Sequence, residues 1–242
     1  MGGDGRADLP PLEQAVALAE WLQGPRSRAL RRAGIGLRER VLELGAGHCV
    51  VTPELQRRVR GPIVAIDTAP HPFVASIPDG AVGVCADAVR LPFVAGSFDL
   101  VFAHNTLLWV RHLAAAVGEA VRVLAPGGAL VAVEPDYGGM MEYPDLGLRQ
   151  LWLNALSRCG AEPLVGRRLP ELCERAGLEV WVELAHVPRT AEAEAVGLLE
   201  GLDLTDDERR QVATDRQRIA STPDTWSPFL HVPYFLVVAE KR

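Results

Sequence analysis

A glycine turn with an acid just before it stands at the end of an apolar segment early in the chain. The segment reads Arg40-Val41-Leu42-Glu43-Leu44-Gly45-Ala46-Gly47-His48, and a second acid, Asp67, ends the next apolar segment 22 residues after Gly45. A strand that ends in such a turn exposes backbone N–H groups, and a carboxylate about 20 residues further on can bind ribose hydroxyls. The two features together predict a site for an adenosine-containing cofactor.

The residues around the turn argue against two phosphate-binding motifs that also contain glycine. A dinucleotide fingerprint has a third glycine where this chain has Val50, and a Walker A loop needs a lysine, whereas the only lysine here is Lys241. A nicotinamide-dependent oxidoreductase shares the glycine turn and stays open as an alternative, although the chain has no Tyr-x-x-x-Lys pair.

The same turn resembles the first motif of the class I S-adenosylmethionine (SAM) methyltransferases, approximately (D/E)-x-G-x-G-x-G. Glu43, Gly45 and Gly47 match this motif, while Cys49 replaces its last glycine. That replacement bears on how closely the next helix packs. Residues 87–101 resemble the D-A-x-x-L-P-F-x-x-x-S-F-D-x-V signature of the ubiquinone/menaquinone-biosynthesis (methyltransferase type 11) branch.

Two further segments extend the resemblance. Residues 103–110 are similar to the segment after the fourth strand in trans-aconitate and malonyl-carrier methyltransferases, and residues 121–134 match the helix, Pro-Gly-Gly and strand that lead into strand five. The resemblance covers residues 38–137 closely and residues 138–242 loosely.

The resemblance implies SAM as the cofactor and S-adenosylhomocysteine (SAH) as its product. Glu43 would face the cationic amino acid end of SAM, Asp67 would accept both ribose hydroxyls, and Asp87 would accept the adenine amino group. The expected cofactor-binding residues are Glu43, Gly45, Ala46, Gly47, Asp67, Thr68, Asp87, Ala88, His104 and Asn105.

Each of the three acids also has an ordinary structural interpretation. Glu43 could form a salt bridge at the end of a strand, Asp67 could cap a helix, and Asp87 could stabilise a turn. All three roles would have to coincide at the ends of successive strands, so we favour the cofactor site.

The methyl acceptor is less well specified than the cofactor. His104 ends the fourth strand and is the candidate catalytic base, because the unperturbed pKa of histidine, about 6.5, suits proton uptake at neutral pH. The alternative is a hydrogen-bonded side chain at the floor of the pocket. Trp109, Tyr137 and Tyr143 are candidates for the substrate pocket, or else pack in the core. The spacing of the other histidines suggests no metal site.

Composition fits one domain that does not bind nucleic acid. The chain has 242 residues, 48% of them hydrophobic, and a net charge of −6, which disfavours a nonspecific grip on nucleic acid. A local basic patch of Arg26, Arg28, Arg31 and Arg32 stays open. Four scattered cysteines and the absence of a long apolar run predict a cytoplasmic protein without membrane insertion. We expect a monomer or homodimer.

Apolar segments near 40–44, 62–66, 81–85, 98–103 and 129–134 alternate with helical patterns, which predicts an α/β fold with a parallel sheet. The resemblance implies a Rossmann-like, seven-stranded, mostly parallel sheet with an antiparallel last strand and helices on both faces. The prolines between residues 67 and 81 predict a short or distorted helix there.

We expect residues 1–37 to form an N-terminal helical cap and residues 38–242 a single SAM-binding domain. By analogy, residues 190–221 would be a helical lid, or alternatively a solvated decoration. The predicted function is methyl transfer from SAM to a small-molecule acceptor, hydrophobic or aromatic, in a pocket over the carboxyl ends of strands one, four and five. A SAM-binding module without catalysis and a nucleic-acid methyltransferase are the alternatives.

Overall fold

The computed structural model describes residues 9–185, 189–190, 198–221 and 229–242. Its strands, numbered in chain order, are β1 Val41–Leu44, β2 Ile63–Asp67, β3 Ala81–Cys85, β4 Phe98–His104, β5 Leu124–Pro135, β6 Met141–Tyr143, β7 Leu178–Ala185, β8 Arg189–Thr190, β9 Phe229–His231 and β10 Tyr234–Lys241. The described α-helices, also in chain order, are α1 Leu12–Trp21, α2 Gln23–Arg32, α3 Thr52–Gln56, α4 Pro70–Ser76, α5 Leu113–Val123, α6 Leu148–Arg158, α7 Val165–Arg175 and α8 Asp206–Ala220.

Seven strands form one sheet in the order β3-β2-β1-β4-β5-β10-β7. Strands β1 to β5 pair in parallel, and β10 lies antiparallel between β5 and β7. The predicted seven-stranded, mostly parallel sheet with an antiparallel last strand is therefore confirmed. The strand order reverses between β1 and β4, and a crevice opens at the carboxyl ends of strands on either side of such a reversal.

Helices cover both faces of this sheet because its strands alternate apolar side chains between the faces. Leu100 and Phe102 of β4 lie in one core cluster with Ala29 and Leu30 of α2. Neighbouring residues of β4, including Val101, lie in the other cluster, with side chains from α5, α6, α7 and α8. The helical segment before the sheet is thus built into one of its faces.

The region between Asp67 and Ala81 holds α4, a helix of seven residues, as the prolines predicted. A second, three-stranded sheet in the order β6-β9-β8 was not predicted. Its strands have two or three residues, too few for the alternation of apolar and polar residues that marks a strand in a sequence.

The described part of the predicted lid packs against α6. Leu199 and Val212 are buried in the same core cluster as Leu151 and Leu156 of α6. The guanidinium of Arg158, at the end of α6, donates to the backbone oxygen of Asp203 at 2.8 Å. Residues 191–197 of the predicted lid, and residues 1–8 of the predicted N-terminal cap, lie outside the described residues.

Within the described ranges, every helix is too short or too polar to cross a membrane.

Substitution of the first glycine in the turn after β1 tests whether a side chain fits at this position. Gly45 has a φ of 60°, and a Cβ there would lie 2.2 Å from Cγ2 of Thr106, whereas Gly127 has a φ of 74° and no neighbouring atom within 4 Å. We expect Gly127→Ala to lower the free energy of unfolding by about 1 kcal/mol through backbone strain alone. Gly45→Ala should lower it by about 3 kcal/mol or more, because strain and a clash combine. Urea denaturation measures both, and equal losses would contradict a tight contact at Gly45.

Candidate active site

The glycine turn after β1 is bound to the end of β2. The backbone N–H of Gly47 donates to Oδ2 of Asp67 at 2.8 Å, and the N–H of Ala46 donates to the carbonyl of Ile66 at 3.0 Å. The other carboxylate oxygen, Oδ1, accepts the N–H of Ala69 at 2.8 Å. Asp67 is buried, so this carboxylate sets the position of both loops.

Asp87 lies in the next loop along the sheet edge. Its Oδ1 accepts the N–H of Val89 at 3.1 Å, and Ala88 beside it is buried, whereas Thr68 in the loop after β2 is exposed. Asp87 thus makes the turn-stabilising bond of its structural interpretation. Asp67 does not cap α4, which has no side-chain cap; it binds backbone N–H groups of two loops instead. Each carboxylate oxygen has a second lone pair, so these bonds leave acceptor capacity for a ligand.

Cys49 has a left-handed backbone conformation, which favours glycine. Its φ is 54°, a left-handed value that costs a non-glycine residue roughly 1–2 kcal/mol. The side chain is buried in a small cluster with Ala46, Ala65 and Phe73. The helix that follows, α3, has only five residues.

Glu43 is buried in β1 with an oxygen that lacks a partner. Its side chain is 3% exposed, and its Oε2 has no hydrogen-bond partner among the described residues. Burial raises the pKa of Glu43 to about 7, although Thr52 and Arg26 partly offset this rise. An unsatisfied buried acceptor costs about 1–3 kcal/mol. The hydroxyl of Thr52 is also buried without a hydrogen-bond partner among the described residues and acts on the pKa of Glu43, so it is one donor near this carboxyl, and a ligand would supply another.

Asn105, directly after β4, has a buried amide nitrogen that lacks an acceptor, whereas Glu43 has a buried oxygen that lacks a donor. Its Oδ1 accepts the hydroxyl of Tyr234 at 3.0 Å, while its Nδ2 is buried without a partner among the described residues. Its backbone is left-handed, with a φ of 52°. Because β1 and β4 are neighbours, an unpaired acceptor and an unpaired donor occur on adjacent strands at the same edge.

Two residues that the sequence did not single out connect β1, β4 and β5. The hydroxyl of Thr106 lies 3.0 Å from the carbonyl of Leu44 and 3.1 Å from that of Gly45. Glu134, fully buried at the end of β5, accepts the N–H groups of Thr106 and Leu107, each at 3.0 Å. Burial raises the pKa of Glu134 to about 7 against the effect of these bonds. Its one sequence signal was an acid at the end of an apolar segment.

Arg26 is the third residue that the sequence did not assign to the site. It is 3% exposed; its Nε donates to Oε2 of Glu54 at 3.0 Å and its Nη1 to the carbonyl of Ala19 at 2.9 Å. The suggested basic patch is therefore wrong for this residue. Arg28, from the same patch, bonds Glu183 at 2.8 Å.

His104 lies between Arg26 and Phe102. Its Nε2 is 3.4 Å from Nη1 of Arg26, and its ring stacks on Phe102 with 6.4 Å between centroids. Burial and the neighbouring Arg26 lower the pKa of His104 to about 3. The imidazole is therefore neutral at neutral pH, and its low basicity disfavours a general-base role in this state.

The three predicted pocket aromatics have different environments. Tyr137 stacks on Trp152 with 5.0 Å between ring centroids, and burial raises the pKa of its hydroxyl. Trp109, in a 3₁₀ turn after β4, is 39% exposed, and Tyr143 in β6 is 64% exposed.

A pocket of about 230 Å³ that none of these aromatics lines lies between α1, α2 and α3, with Arg26 and Glu54 in its wall.

In the described part of the chain, no group of three His, Cys, Asp or Glu side chains is placed to hold a metal ion.

Residues 42–132 match a family described as "Methyltransferase domain". A malonyl-[acyl-carrier protein] O-methyltransferase from Halorhodospira halophila is 39% identical over 99 residues, which cover 38% of this chain and 33% of that protein. A demethylmenaquinone methyltransferase from Mycolicibacterium paratuberculosis is 39% identical over 108 residues, covering 44% of this chain and 46% of that protein. The chain thus spans less than half the length of these curated relatives.

Solved structures of low sequence identity share the fold over most of the chain. The YcgJ protein of Bacillus subtilis has a TM-score of 0.67 at 16% identity, covering 91% of this chain and 99% of that one. The [4+2]-cyclase SpnF has a TM-score of 0.59 at 17% identity, covering 90% and 80%. Phosphoethanolamine N-methyltransferase 2 of Haemonchus contortus, in complex with SAM, has a TM-score of 0.60 at 14% identity, covering 94% and 57%. These likenesses establish the fold alone.

Proposed function

We propose that this chain, which carries a class I methyltransferase domain at residues 42–132, transfers the methyl group of SAM to a small-molecule acceptor. The domain match and the methyltransferase relatives confirm the family predicted from the motifs. The observation that carries the proposal is the unpaired acceptor of Glu43 in β1 together with the unpaired donor of Asn105, directly after the neighbouring strand β4. An amino acid carries one ammonium donor and one carboxylate acceptor, so its two charged groups complement these two atoms.

The proposed cofactor contacts follow the carboxyl ends of β1 to β4. The carboxylate of Glu43 accepts hydrogen bonds from the cofactor's ammonium group, and the amide of Asn105 donates one to the cofactor's carboxylate. The carboxylate of Asp67 accepts hydrogen bonds from the ribose hydroxyls. Asp87 and Ala88 bind the adenine ring. The remaining contacts are made by backbone groups or side chains of Gly45, Ala46, Gly47, Thr68 and His104.

When bound, SAM supplies a methyl group on a positively charged sulfur. The chain then has to orient the acceptor in line with that group, at about 3 Å, and to exclude water. Thr106 and Glu134 serve this requirement indirectly, because they fix the loop after β4 to the ends of β1 and β5.

The N-terminal segment and the late helices are proposed as the covers of the site. Leu9 reaches the glycine turn, where a Cβ on Gly47 would lie 3.4 Å from its Cδ2, and His48 donates to the carbonyl of Pro10 at 2.9 Å. The segment that contains α8 is inserted between β7 and β10, whose ends Ala185 and Tyr234 pair at the carboxyl edge of β5. This position supports a lid for residues 190–221.

We propose an apolar or aromatic acceptor. Trp109 follows β4, and Met141 and Tyr143 follow β5, and all three expose large apolar side chains. Tyr137 contributes through its stack on Trp152 rather than through its hydroxyl. The two curated relatives are named for different acceptors, demethylmenaquinone and malonyl-[acyl-carrier protein], so the acceptor's identity has to come from experiment. The free cysteines support a cytoplasmic location.

A SAM-binding module without methyl transfer is the second candidate. The low pKa of His104 leaves the site without the predicted base, and the fold also occurs in the [4+2]-cyclase SpnF. SAM labelled in its methyl group distinguishes the two candidates when it is incubated with the protein and a panel of aromatic and apolar small molecules. Label in an acceptor, with release of SAH, supports methyl transfer, whereas tight binding without turnover supports the module.

The contact to the ribose can be tested with two aspartates that make similar backbone bonds. Asp67→Ala should weaken SAH binding by more than about 1 kcal/mol in calorimetry, since hydrogen bonds to a charged acceptor are lost. Asp99 accepts the N–H groups of Glu39 and Arg40 at the opposite edge of the sheet, so Asp99→Ala should leave SAH affinity unchanged. An unchanged affinity in Asp67→Ala would show that the ribose binds elsewhere.

The affinity for SAH should depend on pH through Glu43. The pKa of this carboxyl is about 7 in the free protein, and pairing with an ammonium requires its ionised form. Below pH 7 a proton must therefore leave on binding, so affinity should rise roughly tenfold from pH 5.5 to pH 7. Glu43→Gln cannot ionise and should bind more weakly with a flat profile over this range. A wild-type profile equally flat in calorimetry would contradict the pairing.

A further inference from the structure

The geometry points to Arg26 as a positioning residue that fixes His104 as the neutral Nδ1–H tautomer, so that His104 donates a hydrogen bond to a carboxylate oxygen of the ligand. The inference deepens the proposed function and rests on it for the ligand, but not for the tautomer. It replaces the role of His104 as a base by that of a donor.

The first step is the fixed orientation of the Arg26 guanidinium. Nε and Nη2 both donate to Oε2 of Glu54, and Nη1 donates to the carbonyl of Ala19. Glu54 is held in turn by Arg58 at 2.9 Å. With its side chain almost fully buried, Arg26 cannot turn its remaining Nη1 proton away from His104.

The second step assigns the ring protons of His104. A guanidinium has five donors and no acceptor and stays charged at all relevant pH values. The ring nitrogen that faces it, Nε2, must therefore present a lone pair. A neutral imidazole carries its one proton on the other nitrogen, so Nδ1 is the donor.

The charges around the ring agree with a neutral imidazole. Arg26 of α2 is the charged group next to the ring, while Glu54 of α3 and Glu43 of β1 lie near Arg26. Glu54 is paired with two arginines, and the raised pKa of Glu43 reduces its negative charge near neutral pH. Arg26 is thus the charge that acts on the ring, and together with burial it lowers the pKa of His104.

The third step identifies the ligand chemistry. Nδ1 of His104 has no partner among the described residues, and the next residue, Asn105, offers a second unpaired donor. Both side chains lie on one face of the sheet, since His104 stacks on Phe102 and Asn105 bonds Tyr234 of the same core cluster. Two neighbouring N–H donors suit the two oxygens of a carboxylate, from the cofactor's amino acid end or from an acceptor.

Nitrogen NMR of histidine-labelled protein without ligand tests the tautomer. The signals of His104 are assigned by their loss in His104→Asn. We expect a protonated Nδ1 and an unprotonated Nε2 that do not titrate between pH 8 and pH 5. Arg26→Lys keeps a charged donor and should keep this tautomer. Arg26→Met removes the donor that faces Nε2, so the proton should be shared between the two ring nitrogens, while burial, the larger cause of the low pKa, still keeps the ring neutral. A wild-type ring protonated on Nε2, or titrating near pH 6.5, would overturn the inference whether or not SAH binds.

Two substitutions of His104 test the donor without depending on Arg26 variants. Asparagine places an N–H near the position of Nδ1, and glutamine places one near Nε2. SAH affinity in calorimetry should stay within about threefold in His104→Asn and fall about tenfold in His104→Gln, as expected for losing a charge-assisted hydrogen bond. Equal losses of affinity in the two variants, both for SAH and for benzoate as a second carboxylate probe, would overturn the inference.

The source of the carboxylate is decided by two probes. 5′-Methylthioadenosine lacks the amino acid end of SAH, so its affinity should be equal in wild type and His104→Gln if the cofactor supplies the carboxylate. If SAH affinity is the same in all variants, benzoate should bind SAH-saturated wild type and His104→Asn more tightly than His104→Gln. Insensitivity of SAH and benzoate alike to both substitutions would overturn the donor role.

Discussion

The pairing of β1 on both of its edges is the constraint on which the rest of the structure depends. Leu44 lies in register with Ile66 of β2 and with Ala103 of β4, so the loops after these three strands start at one level. Side chains then fix the loops to one another, Asp67 from β2 and Thr106 from beyond β4. A cofactor site that needs groups from four strands follows from this register, because parallel strands present their carboxyl ends at the same edge.

Glu43 and Glu134 are two buried glutamates whose hydrogen-bond partners differ. Both are buried acids near the ends of strands, and burial raises the pKa of each to about 7. Glu134 accepts backbone N–H groups from the loop after β4, which makes it part of the scaffold. Glu43 keeps an oxygen without a partner among the described residues, and such an oxygen gains most from a ligand's donor. The partners of a buried acid therefore indicate its role better than its position in a strand does.

The sequence predicted the fold because the fold follows from local patterns, and the same patterns point to the carboxyl ends of the strands as the proposed site. Apolar segments give the strands, and the glycine turn after Glu43 shows where the first one ends. The role of Arg26 could not be predicted, since a helix with several arginines is typical of a solvated face, and its partner Glu54 lies 28 residues away. The low pKa of His104 results first from burial and second from Arg26, which is 78 residues away, and no local pattern records either cause. The stack of Tyr137 on Trp152 likewise depends on how α6 packs, which no local pattern records.

Hydrogen–deuterium exchange with and without SAH tests the central claim, that the loops after β1, β2, β3 and β4 form one cofactor site. The account predicts slower exchange together, at saturating SAH, in the peptides that contain residues 45–49, 67–69, 86–89 and 104–107. Peptides from the opposite edge, such as those around Asp99 and Gly127, should be unchanged. Slower exchange confined to one loop, at the opposite edge, or in no peptide would contradict a single site built on the carboxyl ends of these strands.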